Sequence, residues 1–141
     1  MAAFNKFNQF VQNEANGVYD LATDTIKCML TNTAPMATNA VLADITEIST
    51  GNGYTAGGAA VTSQSSTQTS GTEKFVATGP IFTASGGSIG PFRYVVLYDA
   101  TPSSPNKPLI GWYDYGSAIT LSAGQTFTVG LDTVNGVFTE A

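Results

Sequence analysis

The second half of the chain constrains its fold most. From Thr72 onward, short apolar runs alternate with glycine, proline and asparagine. Lys74-Phe75-Val76-Ala77 and Ile81-Phe82-Thr83-Ala84 are separated by Gly79-Pro80, and Ser85 to Pro91 is a Gly-rich connection. Phe92 to Tyr98 is the most apolar of these runs and is predicted to lie centrally. Thr101 to Pro108 holds three prolines and reads as a loop, and Leu109 to Tyr115 is a second aromatic strand. Ile119 to Leu121, Gln125 to Leu131 and Gly136 to Thr139 complete the set. Ser122-Ala123-Gly124 and Val134-Asn135-Gly136 supply turns, the latter with an Asn-Gly hairpin signal. About eight short strands, with turn signals every 8–12 residues or so, point to an all-β sandwich, jelly roll or barrel. The expectation is mainly β: one antiparallel β-sandwich or jelly-roll domain over residues 1–141, with one or two short helices near the N-terminus.

The first half is less regular. Phe4, Phe7, Phe10 and Val11 fall at helical spacing within residues 3–15, and Asn16-Gly17 supplies a stop. Residues 1–16 are therefore read as a short amphipathic helix or arm. Its phenylalanines either pack on the chain's own core or dock on a neighbouring subunit. Ile26, Cys28 and Leu30 alternate with Lys27 and Thr31, which gives a half-buried strand. Ala40 to Ile48 has apolar residues at 41, 42, 45 and 48, again helical spacing, with Thr38 or Asn39 as the cap. Tyr54 to Ser70 is small and hydroxyl-rich. It is expected to hold one irregular strand near Ala59–Val61 and a flexible surface loop after it.

Composition narrows the chemistry. Charged residues are only 11% of the chain, whereas Thr, Ser, Gly and Asn together make 55 of 141 residues. A surface of hydroxyls and amides favours strands and turns over long exposed helices. The net charge is −5, and the five basic residues are scattered, so neither nucleic acid nor an anionic membrane is an expected partner. The longest run of large apolar residues, Tyr94 to Tyr98, falls far short of the roughly 20 residues of a membrane span. There is no histidine, and Cys28 stands alone. Histidine acid–base chemistry, Ser-His-Asp triads, Cys-His dyads and Cys/His zinc sites are thereby closed, and no cofactor is expected. Cys28 reads as a small core residue.

Three constellations invite a chemical reading. Gly86 to Pro91 looks like a phosphate cradle, but a proline and a strand follow where a P-loop needs Lys-Ser/Thr and a helix. It reads as a turn. Asp99 and Asp114, at the ends of adjacent strands, could form a hydrolytic carboxylate pair, although turn-capping aspartates are far commoner. Asp20 with Asp24, or Asp44 with Glu47, could contribute to a calcium site, but EF-hand spacing is absent. The aromatic cluster is more informative. Phe92, Tyr94, Val96 and Tyr98 alternate with Val95 and Leu97, and Trp112 and Asp114 alternate with Tyr113 and Tyr115. Both faces are apolar, so they build either a two-sided core or a contact surface. Arg93, the only arginine, sits beside this cluster, as a surface charge or in an ion pair with an aspartate. The candidate contact residues are thus Phe4, Phe7, Phe10, Arg93, Trp112, Tyr113 and Tyr115.

Five stretches carry a resemblance: FNKFNQFVQ (4–12), MLTNTAPMATNAVLADITEIS (29–49), GNGYTAGG (51–58), FTASGGSIGPFRYVVLYD (82–99) and PLIGWYDYGSAITLSAGQTFTV (108–129). Together they resemble a family of small virion proteins of tailed bacteriophages over nearly the whole length; residues 59–75 match least. The resemblance implies a non-enzymatic structural protein, made in the host cytoplasm and carried on the capsid surface as a decoration, or cement, protein. Its implied partners are the major capsid protein and other copies of itself; because closed symmetry lets one patch serve repeatedly, a trimer on three-fold positions of the shell is the expected arrangement. It implies no catalytic residues. A tail or baseplate component that binds host carbohydrate is the alternative, with Trp112 and Tyr113 stacked on sugar rings and Asp114 accepting from a hydroxyl.

Overall fold

A computed structural model describes residues 2–140. The fold is mainly β, with antiparallel strand pairing throughout, an arrangement consistent with a β-sandwich. Its elements are β1 (Asn5–Lys6), α1 (Asn8–Ala15), β2 (Ile26–Thr31), β3 (Ala59–Ala60), β4 (Thr62–Thr69), β5 (Thr72–Thr78), β6 (Ile81–Thr83), β7 (Ile89–Asp99), β8 (Leu109–Leu121), β9 (Thr126–Thr128) and β10 (Phe138–Glu140). A five-stranded sheet runs β1-β8-β7-β2-β3, a three-stranded sheet runs β10-β5-β4, and β6 pairs with β9.

The five-stranded sheet is apolar on both faces because its inner strands alternate two sets of large side chains. Ile26, Cys28, Leu30, Val95, Leu97 and Ile110 point to a main core shared with Phe75 and Ala77 of β5 and Phe82 of β6. Met29, Val96, Tyr98 and Leu109 point the other way, into a smaller cluster with Phe7. Burial of both faces is what makes β7 a central strand. Cys28 lies fully buried, and its thiol is pushed up to about 12 by that burial, so it remains protonated at neutral pH.

The structure corrects the helical expectations. Among the described residues only Asn8–Ala15 is α-helical, and Val11 of the expected stripe is half exposed. Phe7 and Phe10 do not share a stripe. The chain crosses the sheet edge at β1, so Phe7 enters the smaller cluster and Phe10 the main core. Residues 40–48 form a strap containing a single 3-10 turn at Leu42–Asp44. Main-chain bonds hold the strap where a helix would have bonded to itself: Leu42 donates to Lys107, Leu109 donates to Ala40, and Ile48 donates to Leu30. Leu42 and Ile45 then cap the smaller cluster, so tertiary pairing overrides the apolar period.

The segment expected to be a flexible loop is instead the strand β4, hydrogen-bonded to β5. The missed signal was Ser70-Gly71. Both residues have positive φ (52° and 84°), the signature of a two-residue type I′ turn. Asn135-Gly136 does lie in a turn, where Asp132 accepts from the Val134 and Asn135 amides. It does not join a hairpin, however, since β10 pairs with β5 rather than β9.

Close approach places one glycine with particular force. Gly58 has φ +75°, and a Cβ there would fall 1.9 Å from the Cys28 carbonyl oxygen. Only glycine allows the β3 segment to lie against β2. A buried polar latch closes the same corner. The Tyr54 hydroxyl accepts from the Leu30 amide at 3.1 Å and donates to Glu47 at 2.6 Å, and Glu47 also accepts from the Gly57 amide.

Candidate contact face

The long β7–β8 pair sets out the candidate residues. Its ladder is regular from Tyr94↔Asp114 to Leu97↔Gly111, then slips beyond Tyr94, where Phe92 pairs with Ile119. This bulge breaks the alternation read from sequence. Phe92 turns into the main core with Val95 and Leu97 instead of sharing a face with Val96 and Tyr98. Residues Tyr115 to Ala118 are looped out and exposed as a result.

Arg93 and Asp114 form a two-pronged ion pair, Nε to Oδ1 at 2.8 Å and a second guanidinium nitrogen to Oδ2 at 3.1 Å. Asp114 also accepts from the Gly116 amide, which helps to shape the bulge. The guanidinium lies 5.4 Å from the Tyr94 ring centre. The hydrogen bonds from Arg93 hold the Asp114 carboxyl below its ordinary range. Both side chains are about 40% exposed, so the pair organises the surface more than it stabilises the core.

The aromatic candidates separate by face. Trp112 packs on Phe7 at 4.6 Å over the smaller cluster. Tyr113 lies on the opposite face, edge-on to Phe4 at 5.7 Å, and Phe4 stacks on Phe138 at 5.4 Å. Phe10 is fully buried against Tyr19 and Phe138. Phe7 and Phe10 therefore serve the chain's own core and retain no exposed surface. Phe4 is half-buried. Tyr115 is 58% exposed and meets Phe127 edge-on at 5.9 Å.

Tyr113, Tyr115, Phe127 and Val129 line an open apolar groove of about 290 Å³, with Val95 at its floor and Ala2 at its margin. Ile81, 62% exposed, stands cross-strand from Thr128 of the groove wall and extends the apolar surface. Phe127, Val129 and Ile81 were not singled out from sequence. Their signal was the alternation in QTFTVGL and the Ile-Phe-Thr run, each legible as a strand but not as a surface.

The carboxylate constellations are not brought together. Asp114 pairs with Tyr94, and Asp99 lies five residues further along β7, about 17 Å away at strand rise. Asp99 is fully buried next to Asp24, and desolvation and that neighbour push its carboxyl up to about 7. The Asp24 carboxylate accepts from the Asp20 amide. Asp44 caps the Ala40 and Val41 amides, and Glu47 is held by Tyr54 and Gly57. Among the described residues no cluster of three or more His, Cys, Asp or Glu is placed to hold a metal ion, and no helix is long and apolar enough to cross a membrane.

Compared with models of known protein families, with curated proteins and with solved structures, the chain matches none of them.

Proposed function

We propose that this chain is a non-enzymatic structural protein of a tailed-phage virion that decorates and cements the capsid shell. The observation that carries this reading is the exposed apolar groove at Tyr113, Tyr115 and Phe127. An aromatic patch with a polar rim is what a protein–protein contact uses. Two of the phage-like stretches, FTASGGSIGPFRYVVLYD and PLIGWYDYGSAITLSAGQTFTV, supply β7, β8, β9 and all but the first residue of β6, and hence most of the groove. The resemblance and the face therefore coincide on the same residues.

In this reading the groove docks on the major capsid protein, and further contacts join copies of the chain as a trimer. Repetition matters more than the strength of one contact. A modest interface, of order 1,600 Å², repeated over a shell resists internal pressure through multivalency. The same reading takes residues 1–141 as one jelly-roll-like sandwich domain, supported by a main buried cluster that joins residues from Phe10 to Val137. Scattered lysines and a salt-bridged arginine suit protein contacts better than contacts with nucleic acid or membrane.

A carbohydrate-binding tail component loses its simplest geometry. Trp112 and Tyr113 lie on opposite faces and cannot stack on one sugar ring together, and Asp114 is already engaged by Arg93. The test is a heat or osmotic challenge of particles assembled without this chain. Loss of packaged DNA, prevented by adding the wild-type chain but not the Tyr115→Asp variant, supports cementing through the groove. Unchanged DNA retention rejects it.

A further inference from the structure

β4 is the edge of the three-stranded sheet, and among the described residues its main chain bonds only to β5. In a two-residue hairpin the residues flanking the turn form a hydrogen-bonded pair. Thr69, Thr67 and Ser65 therefore bond inward, and the main-chain groups of Ser66 and Gln68 face outward. Proteins usually guard such an edge with charge, proline or shortness. β4 has none of these over its eight residues, TSQSSTQT. Its one irregularity is the bulge between Thr62 and Ser65, with Ser63 at φ 52°, which leaves Ser65 to Thr69 regular. The other long edge, β8 beyond Trp112, carries Asp114 and a bulge.

We propose that the β4 edge is a self-association site at which two copies of the chain pair antiparallel, joining their three-stranded sheets into one of six strands. The regular run is centred on Thr67. A two-fold axis there sets Thr67 against its own counterpart and Ser65 against Thr69, all exposed hydroxyl residues on one face. Ser66 and Gln68 exchange main-chain hydrogen bonds across the axis. A copy of the same chain fits because the edge is self-complementary about that axis and adds no charge repulsion of its own. The chain carries −5 overall, yet the strand itself is neutral. The nearest charges, Glu73 and Lys74 on β5, are of opposite sign. A contact through one five-residue strand segment per copy is small beside the roughly 1,200 Å² of stable dimers, so it is weak in solution. Two-fold pairing differs from three-fold closure, so it is a contact separate from the trimer proposed above. The inference does not rest on the virion reading, and its failure leaves that reading standing.

Sedimentation velocity and amide hydrogen exchange of the whole chain, from about 10 µM to about 1 mM, test it. The expected result is a dimer at high concentration, strengthened by salt, with exchange at the Ser66 and Gln68 amides slowing as concentration rises. Thr67→Lys places two ammonium groups together at the axis and abolishes both effects while leaving the circular dichroism spectrum unchanged. Ser66→Pro, which removes an outward N–H, does the same as a second variant. A monomer throughout, or a dimer indifferent to both substitutions, overturns the proposal.

Discussion

The β7–β8 and β4–β5 pairs are both antiparallel, yet different forces specify them. In β7, Val95 to Asp99 are all buried, and large side chains fill both faces. A one-residue slip would drive every one of them to the wrong face, so burial fixes the register. In β4 no residue is fully buried, and the side chains are Thr, Ser and Gln. Its register is set by the tight Ser70-Gly71 turn and by the few β5 residues, Phe75 and Ala77, that reach the core. One hairpin is held by what it buries and the other by how it turns.

The largest expected contrast comes from truncating each hairpin. Leu97→Ala should cost about 2–5 kcal/mol, and Thr67→Ala less than about 0.5, in urea unfolding. Equal losses would dissolve the distinction. Next come two left-handed glycines. Gly58→Ala drives a methyl into the Cys28 carbonyl and should cost about 3 kcal/mol or prevent folding. Gly71→Ala meets open space at φ +84° and should cost about 1–2 kcal/mol from backbone strain alone.

Acidity probes carboxyls next to both hairpins. Asp99 ends β7 with its carboxyl pushed from 3.8 to about 7 by burial and Asp24. Glu14 is pushed from 4.5 to about 8, chiefly by burial, then by Glu140 and Glu73, which face each other between β10 and β5. Raised carboxyls bind protons more tightly in the folded state. Their stabilisation is complete below their ordinary values and is lost as pH rises towards 7 and 8. Asp44, Asp114 and Asp132 are shifted down and act oppositely, losing stabilisation as the medium falls below about pH 4. The melting temperature should therefore peak near pH 4 and decline towards pH 8. Asp99→Asn with Glu14→Gln should flatten that decline, and a rise over the same range would contradict it. The smallest effect belongs to the turn. Ser70→Asn suits a type I′ turn better and should add a few tenths of a kcal/mol, read as a small rise in the urea midpoint.

The sequence made β2, β7 and the β8 aromatic strand legible because each is a short run dense in large apolar residues bounded by turn or loop residues, as burial demands. It concealed β4, whose residues bury too little for a pattern to form. It also misdirected at residues 40–48, where apolar spacing served a strap bonded to β8 and β2. At the contact face, Tyr113 and Tyr115 were visible as aromatics. Their separation from Trp112 follows from strand alternation. The inward turn of Phe92 depends on a bulge that no local pattern marks.

Quantitative mass spectrometry of purified particles, with heads separated from tails, bears most directly on the role itself. The chain should be found on heads, in a fixed ratio to the major capsid protein. Its absence from heads, or its confinement to the tail fraction, would contradict a cementing function.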